Sequence, residues 1–153
     1  MTDLPELSIE IIEIEPEAVY KDTVYDQTVI GQIQDGRRVE LFDSSASVSE
    51  DSIGEVLDTL VHAMPKSHGE RKVLDKSLGF RSSENPSTKW SYDLVGKIAD
   101  IDLDEGTLAL NIGSGEILVK FYNETEAVLE STNASIDDCL HIPDCRIDIF
   151  DTY

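Results

Sequence analysis

The stretch Lys97–Tyr122, "KIADIDLDEGTLALNIGSGEILVKFY", alternates apolar and polar residues through three runs separated by "DEGT" and "GSGE". Period two marks a half-buried strand, and glycines in the two breaks supply the positive φ that hairpin turns require. The reading is a three-stranded antiparallel meander. Its core face is expected to hold Ala99, Ile101 and Leu103, then Leu108, Leu110 and Ile112, then Ile117, Val119 and Phe121. Asp100, Asp102 and Asp104 then form the solvated face of the first strand.

Three alternate aspartates before a glycine also raise the question of a calcium loop. An EF-hand needs Gly at position 6 and a bidentate Glu at position 12, between two helices. Counted from Asp100, position 6 is Glu105, Gly106 falls at 7 and position 12 is Asn111. The match fails where such a loop must close.

Working outward, "NETEAVLESTN" from Asn123 has a capping-type Asn with Glu126 three residues on, which predicts a short helix, and "CRIDIFDTY" from Cys145 alternates again as a last strand. Upstream, "GFRSSENPSTKWS", Gly79–Ser91, reads as a long loop or linker. Before it come "LSIEIIEIEPE" and "QTVIGQIQDGRRVELFD", the latter with the Asp-Gly of a hairpin, making three more strands. "SEDSIGEVLDTLVHAM" places Ser52 and Glu55 at capping-box spacing with a stripe of Ile53, Val56, Leu57, Leu60, Val61 and Met64, so a helix is expected there; the rival is a strand, since Leu57, Thr59, Val61 and Ala63 also alternate. "GERKVLDKSLGF" is read as a further short helix ended by Gly79.

The fold class is therefore α+β and strand-rich, with antiparallel meanders and two or three short helices. The organisation expected is a single compact domain over 1–153 made of two small halves, 1–78 and 92–153, joined by the loop 79–91. Strands, helix and a further strand after Tyr92 also follow the order of a small OB-like barrel. A faint echo links "YDQTVIGQI" at Tyr25 with "YDLVGKI" at Tyr92.

The 153 residues carry 32 Asp and Glu against 12 Lys and Arg, a net charge of −20. The 40% of hydrophobic residues nevertheless allows a core, so the chain is not compositionally disordered. Acidic and basic residues number 15 and 3 over 1–64, 4 and 7 over 65–97, and 13 and 2 over 98–153. Two acidic blocks thus flank a mildly basic middle. No apolar run reaches the ~20 residues of a membrane span, and the start "MTDLPELSIE" lacks a leader's basic and apolar regions. With two cysteines, Cys139 and Cys145, no secreted disulfide scaffold is indicated, and a soluble cytoplasmic protein is expected.

No P-loop, dinucleotide fingerprint, nucleophile elbow or zincin motif occurs, so no enzyme, catalytic residue or cofactor is expected. The acid excess resembles that of proteins from salt-accumulating halophiles, whose carboxylates stay hydrated while a Debye length of ~3 Å screens their repulsion. The first functional expectation is accordingly a small acidic binding or accessory protein of such an organism or its virus, adapted to high salt, with an unknown partner. A second is an acidic inhibitor or DNA mimic that docks on a basic protein through Asp100, Asp102, Asp104 and Glu105, with Glu10, Glu13 and Glu15 on another strand. A third is single-stranded nucleic-acid binding by the basic middle, through Arg71, Lys72, Lys76, Arg81, Lys89 and Trp90, which pairs cations with a stacking ring. A metal reading gathers Cys139, His141 and Cys145, with His62 and His68. Its five-residue Cys spacer is wider than the two to four usual at zinc.

Overall fold

The computed structural model describes residues 5–66, 69–74 and 77–153. Its strands are β1 (Leu7–Tyr20), β2 (Thr23–Gln32), β3 (Arg38–Asp43), β4 (Val56–Pro65), β5 (Arg71–Val73), β6 (Gly79–Ser82), β7 (Ser91–Asp102), β8 (Thr107–Asn111), β9 (Glu116–Lys120) and β10 (Cys139–Thr152). One short helix, α1 (Thr125–Thr132), precedes β10. The meander β7–β8–β9 and the helix after it follow the sequence reading. No helix among the described residues is long and apolar enough to cross a membrane.

Two expected helices are strands instead. The cap before β4 is Ser49 rather than the expected Ser52, and it serves a single 3-10 turn, Glu50–Ser52, whose Asp51 N–H donates to Ser49 Oγ at 3.2 Å. Gly54 then takes φ +91° and ends the turn. Beyond it the chain is buried on both faces, with Thr59, Val61 and Ala63 on one and Leu60 and His62 on the other, so the apolar stripe of a helix and the alternation of a strand coincide. β-branched residues and partners on both edges decide for the strand. Around 69–80 the described residues form β5 and β6, and Gly79 opens β6 rather than capping a helix.

Strand neighbours run β5-β10-β3-β2-β1-β4-β9-β8-β7-β6, and β10 pairs in addition with β4 and β7. These pairings close two five-strand circuits, β1–β2–β3–β10–β4 and β7–β8–β9–β4–β10, which share β4 and β10. The C-terminal half is therefore not a self-contained OB-like barrel. It supplies four strands of its circuit, and β9 finds its outer partner in β4 of the other half.

The two halves are related by an approximate two-fold axis between β4 and β10. β4 pairs antiparallel with β1 near its start and parallel with β9 further on. β10 likewise pairs antiparallel with β7 near its start and parallel with β3 further on. The registers agree along one row, although β1 and β7 are bulged at different places. One outward row crosses eight strands as Glu15–Thr28–Phe42–Asp148–His62–Leu118–Ala109–Asp100. Read from either end, it makes Glu15 equivalent to Asp100, Thr28 to Ala109, Phe42 to Leu118 and Asp148 to His62. After the third strand of each half the same distance leads to a non-glycine residue at positive φ, Ala46 at 51° and Tyr122 at 54°. The echo of Tyr25 with Tyr92 matched the wrong strands, because Tyr25 lies in β2 whereas β7 corresponds to β1.

One buried cluster draws on both halves, including Ile9, Val29 and Val61 with Leu94, Leu110 and Ile149. Gly96 permits a close approach within it: a Cβ there would stand 2.5 Å from Leu110 Cγ and 2.9 Å from the Asn111 carbonyl. Ile149 packs at the axis, opposite Val61 in register. Truncation by Ile149→Ala is expected to cost about 2–5 kcal/mol. Because both circuits use β10, urea unfolding followed by Trp90 fluorescence and by far-ultraviolet circular dichroism should still show one coincident transition. Two separated transitions would contradict the shared-strand account.

Candidate functional site: an acidic cleft on the outer face of β7–β9

The meander turns its core face inward through Ile98, Leu108, Leu110, Ile117 and Val119. A bulge between Ile98 and Asp100 shifts the alternation, so Ala99 leaves the core face expected of it and lies exposed. Leu103, at the turn, is exposed as well. That turn is tight: the Gly106 N–H donates to Asp102 O at 2.9 Å, and the Glu105 N–H to Asp102 Oδ1 at 3.1 Å. Gly106, at φ +72°, accepts the Tyr122 N–H on its carbonyl at 2.8 Å. A Cβ there would meet Tyr122 Cα at 2.3 Å.

The outcome on the outer face is a cleft of about 550 Å³, within the range of ligand sites. Its floor is apolar and small, from Ala99, Ala109 and Leu118, with Thr107 beside them. Carboxylates of Asp100, Asp102, Glu105 and Glu116 rim it, and Lys120, Tyr122 and Pro5 complete the wall. Three of the four acidic residues singled out in the sequence therefore come together, while Asp104, exposed on the same turn, stands outside the lining. Glu116, Lys120, Ala109 and Leu118 were missed. Their signal lay in the same stretch, in the positions opposite the core residues of β8 and β9, where two apolar side chains face outward between polar ones.

Lys120 also walls a second cleft of about 350 Å³ with Met64, Lys66 and Asn123. Its ammonium lies 5.9 Å from the Tyr122 ring and 5.7 Å from that of Phe150. Phe150 is exposed and stacks on His62, ring centroids 4.3 Å apart. Burial of the His62 ring, helped by the charge of Lys120, lowers its pKa from 6.5 to about 4.

The basic residues do not converge. Arg71 and Lys72 lie on β5 at one end of the strand order, where Lys72 Nζ donates to the Asn133 carbonyl at 3.2 Å. Arg81 lies on β6 at the other end and donates to Ser77 O at 2.8 Å. Lys89 pairs with Glu17, and Trp90 donates its Nε1–H to Thr28 Oγ1 at 2.9 Å while its ring packs 4.5 Å from Phe42. Lys76 and His68 lie outside the described residues. Among the residues of the metal reading, His141 Nε2 shares a hydrogen bond of 2.9 Å with Asp93 Oδ2, and Cys139 and Cys145 are buried thiols that form no disulfide. Burial foremost, then the charge of Asp93, raises the Cys145 pKa well above its usual value, which keeps the thiol protonated and a poor metal ligand or nucleophile. No group of three or more His, Cys, Asp or Glu among the described residues is placed to hold a metal ion.

The loop before β7 is not a free linker. Asp93 Oδ1 accepts the Ser83 hydroxyl at 2.7 Å and the Asp144 N–H at 2.9 Å, while Asp144 Oδ1 accepts the Ser87 N–H at 3.0 Å. These bonds fix the segment that presents Lys89 and Trp90. Compared with known proteins, the chain matches no family model, no curated protein and no solved structure.

Stability should report the His62 environment. A base whose folded pKa of about 4 lies below its unfolded 6.5 contributes stability that is complete above pH 6.5. That contribution is lost as the pH falls toward 4, because only the unfolded chain takes up the proton. The loss is about 3 kcal/mol across that window. In an NMR titration the His62 ring should keep its neutral shifts down to pH 5. Titration near 6.5 would mean that the ring is solvated.

Proposed function

We propose that the protein is a non-enzymatic, acid-coated binding protein built for high salt, which docks a basic partner in the cleft on β7–β9. The observation that carries this reading is the meeting of four carboxylates around an apolar floor, since charge at contact distance fixes orientation even where salt screens longer-range forces, while buried apolar area supplies affinity. A ladder of carboxylates alone would serve equally well as a hydrated strand face. The floor of Ala109 and Leu118 is what such a face does not need.

The high-salt part rests on how the charge is spread. Exposed carboxylates occur from Glu10 on β1, through Glu55 and Glu84 in loops and Glu126 on α1, to Asp151 on β10. With 32 Asp and Glu against 12 Lys and Arg, one-to-one pairing would leave 20 carboxylates of the chain without a cationic side chain. Such a coat favours solvation in concentrated salt, and it argues against a single phosphate-like face of the mimic type. Nucleic-acid binding by the basic middle block has less support, because Lys72 and Arg81 are each engaged by a backbone carbonyl and Lys89 is held by Glu17.

The binding reading is tested with fluorescein-labelled octalysine and fluorescence anisotropy in dilute buffer. Replacing Asp100, Asp102, Glu105 and Glu116 by their amides is expected to weaken binding at least tenfold. The same change at the exposed Glu50, Asp51, Glu55 and Glu84 should weaken it less than threefold. Equal losses would mean that the coat as a whole, rather than the cleft, attracts cations. The solvent reading predicts a melting temperature that rises steadily as KCl goes from about 0.1 to 2 M, where screening of self-repulsion is nearly complete. A flat or falling melting curve would overturn it.

A further inference from the structure

The cleft has a counterpart in the other half of the molecule, and there the chain itself fills the seat. Across the approximate two-fold axis, Ala109 and Leu118 correspond to Thr28 and Phe42. Those two residues carry Trp90, through the 2.9 Å hydrogen bond to Thr28 Oγ1 and the ring packing on Phe42. Lys89, one residue earlier, pairs with Glu17 and lies 5.4 Å over the Trp90 ring. Glu15 and Glu40 face the same ammonium and, with Glu17, raise its pKa.

Those carboxylates have counterparts at the open cleft. Glu15 corresponds to Asp100 in the outward row, and Glu40, two residues before Phe42, corresponds to Glu116. In register Asp102 matches Ala18, but a bulge in β1 sets Glu17 beside that position, and Glu17 Oε1 accepts the Thr28 hydroxyl at 2.6 Å, so its carboxylate stands at the edge of its floor as Asp102 does at the other. Asp100, Asp102 and Glu116 all line the cleft. The seat is thus present twice: an outward pair of side chains on the second and third strands as floor, and three carboxylates around it. What differs is the residue two places before the equivalent pair Leu7 and Tyr92, which are partnered alike by Thr59 of β4 and Cys145 of β10. In the filled seat it is Trp90. In the open one it is Pro5, which also lines the cleft but whose ring is far smaller than an indole.

We infer that the open cleft binds a partner polypeptide through a lysine or arginine followed directly by a tryptophan or similar large aromatic residue. The ring would lie on Ala109 and Leu118, and the cation would face Asp102 with Asp100 and Glu116 beside it, as Lys89 faces Glu17. Chemistry agrees with the geometry. A planar ring suits a floor of small apolar side chains, and an adjacent cation neutralises a rim that otherwise repels itself.

This inference rests on the cleft being a docking surface, and the test separates the two. A fluorescein-labelled peptide copying the chain's own Pro86–Ser91, "PSTKWS", is titrated with the intact protein and followed by anisotropy, beside peptides with Trp→Ala or Lys→Gln. Saturable binding is expected, weakened at least tenfold by either peptide change. In the protein, D102N with E116Q should weaken it at least tenfold, whereas E17Q, in the filled seat, should leave it within twofold. D102N keeps the oxygen that accepts the Glu105 N–H, so the turn survives, and circular dichroism checks that it does. If octalysine binds as expected but the Trp→Ala peptide binds as well as the parent, the cleft remains a cation-docking surface and the lysine–tryptophan specificity is overturned. If neither ligand binds up to about 1 mM, both readings fall. If E17Q loses as much as D102N with E116Q, the peptide is competing for the filled seat and the open-cleft assignment is wrong.

Discussion

The pairing of β4 with β10, centred on His62 opposite Asp148, is the contact on which everything else hangs. Each strand is the fourth of its own half and closes the circuit of the other. Without it the two meanders would each present a third strand with an unpaired edge, which costs hydrogen bonds and invites aggregation. The outward pair at the centre, His62 and Asp148, is polar and buried, and it is satisfied in two different ways. Asp148 receives a two-pronged hydrogen bond from Arg146, at 2.9 and 2.8 Å, whereas His62 is kept neutral and stacked on Phe150.

From that axis the outer surface divides into two related faces with opposite fates. On the N-terminal side the floor of Thr28 and Phe42 is closed by Trp90, whose hydrogen bond and ring contact make it part of the fold. On the C-terminal side the equivalent floor is open and rimmed with acid. A duplicated architecture that keeps one copy of a seat filled and the other empty separates a structural role from a recognition role while using the same geometry for both. Keeping acid character at Glu15 and Asp100, Glu17 and Asp102, and Glu40 and Glu116 is what ties the two.

The meander from Lys97 to Tyr122 was legible because its large apolar residues alternate with polar or small ones, even in β8 where both faces are covered, and because its turns need glycine. β4 was illegible for the opposite reason. Buried on both faces and paired on both edges, it offers apolar residues at every spacing, and the capping-box spacing of Ser52 and Glu55 lent weight to a helix although the cap formed is Ser49. Asp100, Asp102 and Glu105 could be singled out from their spacing, but Leu118 and Ala109 could not, since nothing local says that an outward apolar residue floors a cleft. The bulge at Ala99 inverted one position for the same kind of reason: a bulge is set by how two strands pair, not by the residues of one. Lys89 and Trp90 read as part of a basic, aromatic binding block. That their carboxylate partner lies some seventy residues away on β1 is information that only the folded chain carries.

The exchange of fourth strands also fixes the order in which the molecule can be assembled during synthesis. β4 emerges from the ribosome well before β9, its parallel partner, and before β10, which lies on its other edge. Until β10 is made, neither circuit can close and both meanders expose an apolar face. Vectorial, half-by-half folding is therefore closed to these two halves despite the two-part architecture. Folding must wait for β10 and then form the most distant contacts together, which places it among slow, high-contact-order folders. A coat of like charges, which keeps unfinished chains apart, acts during that delay as well as in the finished protein.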